Sequence, residues 1–508
     1  MEEDNYQGHK FIPKELKDCP ECGKPRISFG WCKDCETNSM KENFLYWTSE
    51  NKEIDELIRH TQLNASQTCD YLEWIPFEKF EMVKYIGSGG FGSVYSALWM
   101  EGPRWNWDDG AQEWARAGPM TVALKRLDNS QEILSSFINQ IKTYHKCLQS
   151  ASLAETFGIT KDPTSNYMIV MKYYENGNLY QYLDRSNGIL SWRDMIDILQ
   201  GVARGLERIH IEGKIHRNLH GGNLLIEDEV ISTDARIGDV GLYGPSYIIK
   251  NENPNKIYGI LPYVAPEVLR GKNYSTTSDI FSFGIIMNIL ATGKRPWYNR
   301  AHDYNLANDI CNGLRPAIPD DTPKFYADLM EQCWDDEPEN RPTASYLNEK
   351  LGEWITLICD DPSPSQISDE SSVAEEKRWK MISQLSKKYS HPEKHPDAYY
   401  TSRPKCHSNY NVLRGENYTS ASDIYSFGII MNILATGKRP WYDRAHDNYL
   451  AKSICDGERL EIPDDTPKFY AELMQQCWDN ESGNRPTAAY LCKKLNWINL
   501  IRDNPNPR

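Results

Sequence analysis

Four of the thirteen cysteines are set close together, Cys19 with Cys22 and Cys32 with Cys35, while the other nine lie scattered singly. The pattern is C-x2-C, a nine-residue gap and C-x2-C, with Pro20, Gly23 and Gly30 at the turns. Two such turns each present two thiolates to a tetrahedral Zn2+, and a segment this small needs the metal to fold. The alternative is a pair of disulfides or a redox C-x-x-C. No βαβ pattern surrounds these residues, however, and scattered single thiols mark a reducing compartment. Further on, Gly87, Gly89 and Gly92 form a G-x-G-x-x-G turn followed by Val94. A dinucleotide fold would open a helix at the third glycine, whereas Ser93 to Trp99 continues as strand, so a phosphate-covering hairpin fits better. Val122, Ala123 and Leu124 read as a buried strand ending in Lys125, whose ammonium either reaches phosphate or lies at the surface.

These residues need elements to hold them. Ile54, Leu57 and Ile58 share one helical face; Phe80 to Ile86 and Gly92 to Leu98 read as strands on either side of the glycine turn. Asp194 to His210 is apolar at helical spacing, through Met195, Ile198, Leu199, Val202, Leu206 and Ile209. Strands precede helices, which suggests a small sheet lobe feeding a larger helical lobe. The 508 residues exceed what one core usually organises. A net charge of −15, from 57 Lys plus Arg against 72 Asp plus Glu, is the wrong sign for neutralising nucleic-acid phosphates over a broad surface. The longest apolar stretch, Phe281 to Ala291, is too short to span a bilayer and reads as a buried helix. Neither a secretory signal nor a basic transit peptide is expected at Met1 to Lys10, so the expected compartment is cytoplasmic, with the nucleus not excluded.

Downstream come Ile215, His216, Arg217, Asn218, Leu219 and Asn223, then Asp239, Val240, Gly241, then Ala265, Pro266, Glu267. In this order and spacing the set resembles the protein kinase signature: glycine-rich loop, V-A-I-K lysine, H-R-D catalytic loop with its downstream asparagine, D-F-G and A-P-E. The resemblance covers roughly Phe80 to Trp354 and includes Asp279 and Arg341, which match the residues tying a kinase helical lobe together. It is nearest to the tyrosine-kinase-like group. The cysteine-rich start, the leader Glu73 to Phe77, the Trp-rich insert and the H-R-x-L-H-x-G-N loop look like a lineage-expanded set of fungal kinases within that group. The resemblance implies that amides of Gly87 to Gly92, with Val94 and Ala123, enclose ATP, that Lys125 binds its α and β phosphates, and that Asn223 and Asp239 hold Mg2+. It places Met171 as the pocket's gatekeeper, and Lys172 where the family usually has an acidic residue.

Two departures bear on catalysis. Asn218 replaces the aspartate that accepts the substrate hydroxyl proton, and Gln140 replaces the helix glutamate that pairs the strand lysine. An amide cannot act as base, and loss of a general base costs about 10^2 to 10^4 in rate. Phosphoryl transfer depends mainly on positioning and electrostatics, so some turnover survives this in principle. His220 stands where Ser/Thr kinases usually carry lysine, which leaves the substrate hydroxyl class open. The insert from Trp99 to Pro119, with Trp105, Trp107 and Trp114, is either a docking surface or a loop folded onto the sheet lobe.

Residues 268 to 351 recur at 412 to 495 without a gap, with 62 of 84 positions identical. The second copy contains only the tail of a helical lobe and none of the nucleotide residues. Its helix Asp423 to Ala435 is apolar all round, as a helix buried on every side would be, so that surface needs some cover, the first copy included. A partial gene duplication and two gene models joined in error explain it equally well. The expected fold is α+β: a zinc-ribbon-like segment (15–40), a helical leader (41–79), a bilobal kinase domain with a small antiparallel β lobe and a large helical lobe (80–355), a linker (356–405) and the duplicated partial lobe (406–508). The expected function is ATP binding in intracellular signalling, through protein partners or a protein substrate, with phosphotransfer impaired. An active Ser/Thr or Tyr kinase and a zinc/Trp-rich binding module on an inert kinase platform are the alternatives.

Overall fold

The computed structural model describes residues 18–494 except 29, 68–69, 89–91, 105, 109–112, 128–129, 131–137, 139–140, 143–146, 148–151, 187, 189, 229–231, 241–257, 360–364, 386–393, 401–402, 405–419, 443–452, 455–456, 465 and 480–481. They form two compact units, one of residues 1–302 with 310–404 and the other of 303–309 with 405–508.

At the start of the first unit, two tight turns with left-handed glycines at Gly23 (φ 67°) and Gly30 (φ 65°) lead into helix α1, Lys33–Asn43. Helix α2, Lys52–Asn64, is N-capped by Asn51, whose side chain accepts from the amides of Glu53 and Ile54. The apolar stripe legible in the sequence is the buried one: Ile54, Leu57 and Ile58 pack with Leu72, Ile138, Ile159 and Tyr167. The leader is therefore part of the sheet lobe's core. It also contributes a strand, β1, Glu73–Trp74, which pairs in parallel with β7, Thr156–Lys161. That approach is so close that a Cβ on Gly158 would stand 2.1 Å from the Glu73 carbonyl oxygen, so only glycine fits there.

The sheet contains β2 (Phe80–Ser88), β3 (Ser93–Trp99), β6 (Met120–Arg126) and β8 (Tyr167–Lys172) in the order β1-β7-β8-β6-β3-β2. Every pairing except β1 with β7 is antiparallel. Between β3 and β6 the insert makes a hairpin of β4 (Asn106–Asp108) and β5 (Glu113–Ala115), in which the backbones of Trp107 and Trp114 pair in register. Trp99 belongs to the lobe's core, beside Phe80 and Phe157.

The helical lobe is built on α3 (Leu179–Arg185), α4 (Trp192–Ile211) and α5 (Thr276–Thr292), followed by α6 (Lys324–Cys333) and α7 (Ala344–Cys359). Ser275 caps α5, Gly293 in the left-handed conformation ends it, and from Ser278 to Ala291 every residue is buried. The stretch 356–405, expected as a linker, departs from that expectation. Helix α8, Gln366–Leu385, packs on this lobe because Arg378, 6% exposed, donates to the carbonyls of Leu190 and Ala291 and pairs with Asp321 at 3.4 Å. Its guanidinium also lies over the Trp192 ring.

In the second unit, α9 (Ser420–Thr436) and α10 (Lys468–Cys477) gather a small core of Tyr425, Met431, Met474, Cys477 and Trp478. The counterparts of Ile286 and Leu290, both 0% exposed on α5, are Ile430 and Leu434, which are 50% and 75% exposed on α9. The repeated helix thus keeps one packed face and leaves the other open.

Arg378→Met should destabilise the first unit by about 3–5 kcal/mol, since Asp321 stays buried without its cation. Adding Asp321→Asn should recover much of that loss, as read in thermal melts of the two variants.

Candidate active site

The site forms where β9 (Leu224–Asp228) and β10 (Thr233–Ile237), a two-stranded ribbon, lie between the lobes and set the loops on either side of it. Before β9 runs the loop His216–Asn223. Its shape is fixed from below by Asp279 on α5, whose carboxylate accepts from the amides of His216 (2.8 Å) and Arg217 (2.9 Å) and from the His210 ring (3.0 Å). Arg217 is thereby held at φ 68°, a left-handed conformation that a non-glycine residue adopts only when its surroundings impose it. The His216 ring donates from Nε2 to the Gly238 carbonyl at 3.0 Å and accepts at Nδ1 from the Asn218 amide at 3.3 Å, which fixes its tautomer. It thus ties the loop before β9 to the one after β10.

Asn218 is 6% exposed, and its carbonyl accepts from the Asn223 side-chain amide at 2.9 Å. That bond turns the Asn223 carboxamide oxygen to the opposite fork, where it would be a ligand for a hard cation. After β10, Asp239 sits at φ 58° and forms an ion pair with Lys125, which is 8% exposed at the end of β6. An amide oxygen and a carboxylate beside an ammonium form a donor set suited to Mg2+ with bound phosphate; the metal would supply charge neutralisation for the phosphates. In β6, Lys125 pairs in register with Val94, and Ala123 with Ser96 on one side and Met171 on the other. Met171 and Asp239 line an apolar hollow together with Leu72 from the leader and Ile141. Gly87 and Gly92 bracket the turn between β2 and β3, while Gly89 and Gln140 lie outside the described residues.

Several partners here had no motif to reveal them. Lys172, in place of an acidic residue, is bonded to Glu227 at 2.6 Å and lies 3.6 Å from Glu155. Burial alone would lower its pKa, but the two carboxylates outweigh it and hold it raised. The unusual lysine was itself the signal that carboxylates must answer it. Glu267 and Arg341 form a bidentate pair at 2.8 and 2.9 Å, their side chains 6% and 0% exposed, tying the segment before α5 to the one after α6. In the second copy, Asn411 takes the place of Glu267.

At the amino end, the Sγ atoms of Cys19, Cys22, Cys32 and Cys35 all lie within 4.8 Å of one another, with Cys19 to Cys35 at 3.7 Å and Cys22 to Cys32 at 3.5 Å. A zinc tetrathiolate with bonds of about 2.3 Å has sulfur–sulfur edges of about 3.8 Å, whereas a disulfide needs about 2.05 Å. The four thiols fit the metal.

His216 and His220 are wholly buried, and burial lowers both pKa values, that of His220 to about 3. Below pH 6.5 the unfolded chain therefore binds protons that the folded chain refuses. Stability is complete above that pH and falls as pH drops, by up to about 1.4 kcal/mol per pH unit for each histidine. His220→Asn should flatten the slope of melting temperature against pH between about 5 and 6.5. An unchanged slope would contradict a buried neutral His220.

A family model for protein tyrosine and serine/threonine kinases matches residues 80–351 and again 384–495. A probable serine/threonine-protein kinase of Dictyostelium discoideum is 30% identical over 326 residues, 58% of this chain and 21% of that protein. From the same organism, the probable serine/threonine-protein kinase roco6 is 26% identical over 450 residues, 83% of this chain and 19% of its own. The tyrosine-protein kinase TXK of Homo sapiens is 28% identical over 289 residues, 56% of this chain and 50% of its own. The chain thus spans half or less of each relative's length. Strands β2 to β10, helices α3 to α6 and the loops around β9 and β10 lie within the region the family model matches, and the chain belongs to the protein tyrosine and serine/threonine kinase family.

Proposed function

We propose that this chain binds Mg-ATP between its lobes and transfers phosphate slowly or not at all, acting in signalling as a scaffold or allosteric partner of other proteins. The observation that carries this reading is Asn218, an amide at the place from which the substrate hydroxyl proton must be taken, on a loop otherwise fully braced by Asp279 and Asn223. The neighbouring charge points the same way. His220 is neutral at physiological pH, so the loop carries neither the carboxylate nor the cation that usually accompanies it. Nucleotide binding is supported separately by the Lys125–Asp239 pair and by the orientation of Asn223. The same pair favours a second reading, a slow active kinase, because positioning and electrostatics supply much of phosphoryl transfer.

The cysteine cluster is read as a structural Zn2+ site: four thiolate ligands leave no open position for chemistry. Its place in the molecule is beside Trp31, Met40, Ala65 and Tyr71, a small core linking it to the leader. No helix among the described residues is long and apolar enough to cross a membrane.

Mg-ATP at millimolar concentration should raise the melting temperature of the full chain by preferential binding to the folded state. Wild type should transfer radiolabelled γ-phosphate weakly at most; Asn218→Asp should raise the rate, more so with Gln140→Glu. Wild-type turnover of about 1–100 per second would refute the impaired reading. The purified chain should contain one zinc ion, and chelation should lower its thermal stability.

A further inference from the structure

Residues 394–404 have the composition of a solvated linker, with Pro396 and Pro404 among polar residues, yet 395–400 are bound along the helical lobe. The His395 amide donates to the Tyr298 carbonyl at 2.9 Å, and the Asp397 carbonyl accepts from the His302 amide at 3.0 Å. The Tyr399 amide donates to the His302 ring at 3.2 Å. Ala398 is fully buried and Tyr400 is 9% exposed. The Tyr400 ring sits 5.9 Å from the Tyr180 ring and 5.0 Å edge-on to His302, its hydroxyl donates to the Pro296 carbonyl at 2.9 Å, and the Arg295 guanidinium lies over both tyrosines. This is a slot with an aromatic anchor in it, of the kind that fixes a peptide on a surface.

Beyond Tyr400 the segment becomes a strand, β12, Arg403–Pro404, paired antiparallel with β11, Tyr258–Gly259. The place of β11 gives the pairing its meaning. A Cβ on Gly259 would stand 4.0 Å from Asn218 Oδ1, so β11 runs beside the atom that faces the substrate hydroxyl. An extended substrate presenting a hydroxyl to Asn218 has β11 as its neighbouring backbone, and strand addition is how such an edge recognises a peptide. In this chain the register sets Gly259 against Arg403 and Tyr258 against Pro404. Neither Arg403 nor Pro404 carries a hydroxyl, and Pro404 offers no amide to continue the ladder.

We propose that residues 394–400 and 403–404 are a tethered occupant of the kinase lobe's peptide groove. Tyr400 is its anchor between Tyr180, Arg295 and His302, β12 covers the β11 edge, and an outside polypeptide gains the groove only when this segment lifts. Occupancy stands on the contacts themselves. That β11 is the track of a substrate rests on reading the Asn218 loop as the phosphoryl-transfer centre, so the test uses binding and not turnover.

A fluorescent synthetic peptide of residues 392–404 is titrated into the full-length wild type and into full-length Tyr400→Ala and Ala398→Asp, each first shown by thermal melt to be folded. The tether closes the groove in most molecules, so the variants should bind the peptide about tenfold or more tighter than wild type does. A peptide carrying the Tyr400→Ala change should bind none of them. Equal affinity in wild type and variants, or no binding to folded variants, overturns the proposal. Hydrogen exchange on the wild type gives a reading that does not depend on the variants folding. Amides of 395–400 and of 258–260 should be protected together, and exchange of 395–400 at the rate of a free chain overturns the proposal equally. Loss of the impaired-catalysis reading, by contrast, would leave every one of these outcomes unchanged.

Discussion

A single buried carboxylate, that of Asp279, holds the functional loop in shape. It accepts two backbone amides and a histidine ring, and these bonds keep Arg217 in a conformation that would otherwise relax. A carboxylate can be buried at 1% exposure only if its acceptor sites are filled, and here two amides of the loop and the His210 ring of α4 fill them. The dependence is mutual: the loop needs the charge for its shape, and the charge needs the loop to be tolerated inside. Helix α5, buried from Ser278 to Ala291, makes the anchor rigid, so the loop inherits the rigidity of the core.

Around this anchor the charges have been reassigned without loss of balance. Lys172 brings a cation to an acidic place, and Glu155 and Glu227 meet it; Glu227 also meets Arg236. Asp239, in the loop after β10, answers Lys125 at the end of β6. At Asn218 and His220 the carboxylate and the cation are absent together, which leaves Arg217 as the charged side chain of the loop. The Lys125–Asp239 pair thus stands beside a loop that carries an amide at position 218.

Where function and fold were written in local patterns, the sequence could be read directly: strands flanking the glycine turn, the stripes of α2 and α4, the all-apolar α5, the cysteine spacing. What was illegible depended on partners far away along the chain. Composition marks 356–405 as solvent-loving, but Arg378 finds carbonyls at 190 and 291 and a carboxylate at 321 that no window around residue 378 contains. Similarly, Glu73–Trp74 is too short to announce a strand, and it is one only because Gly158 lets it approach β7. The loop residues Asn218 and Asn223 could be named from their order, whereas the bond between them is a property of the folded loop alone.

The near-identity of α5 and α9 has a consequence for how the chain reaches its native state. The two helices differ at three of seventeen positions, so a denatured chain holds two candidates for the same slot in the helical lobe. During synthesis the contest does not arise: the segment ending at Thr292 emerges and is packed before the one beginning at Ser420 exists. Refolding from denaturant has no such order, and a chain that seats α9 in the place of α5 leaves the original helix only the slot of the second unit, which covers one of its faces. Direction of synthesis thus acts as a proofreading device for a chain whose sequence alone leaves this choice nearly degenerate.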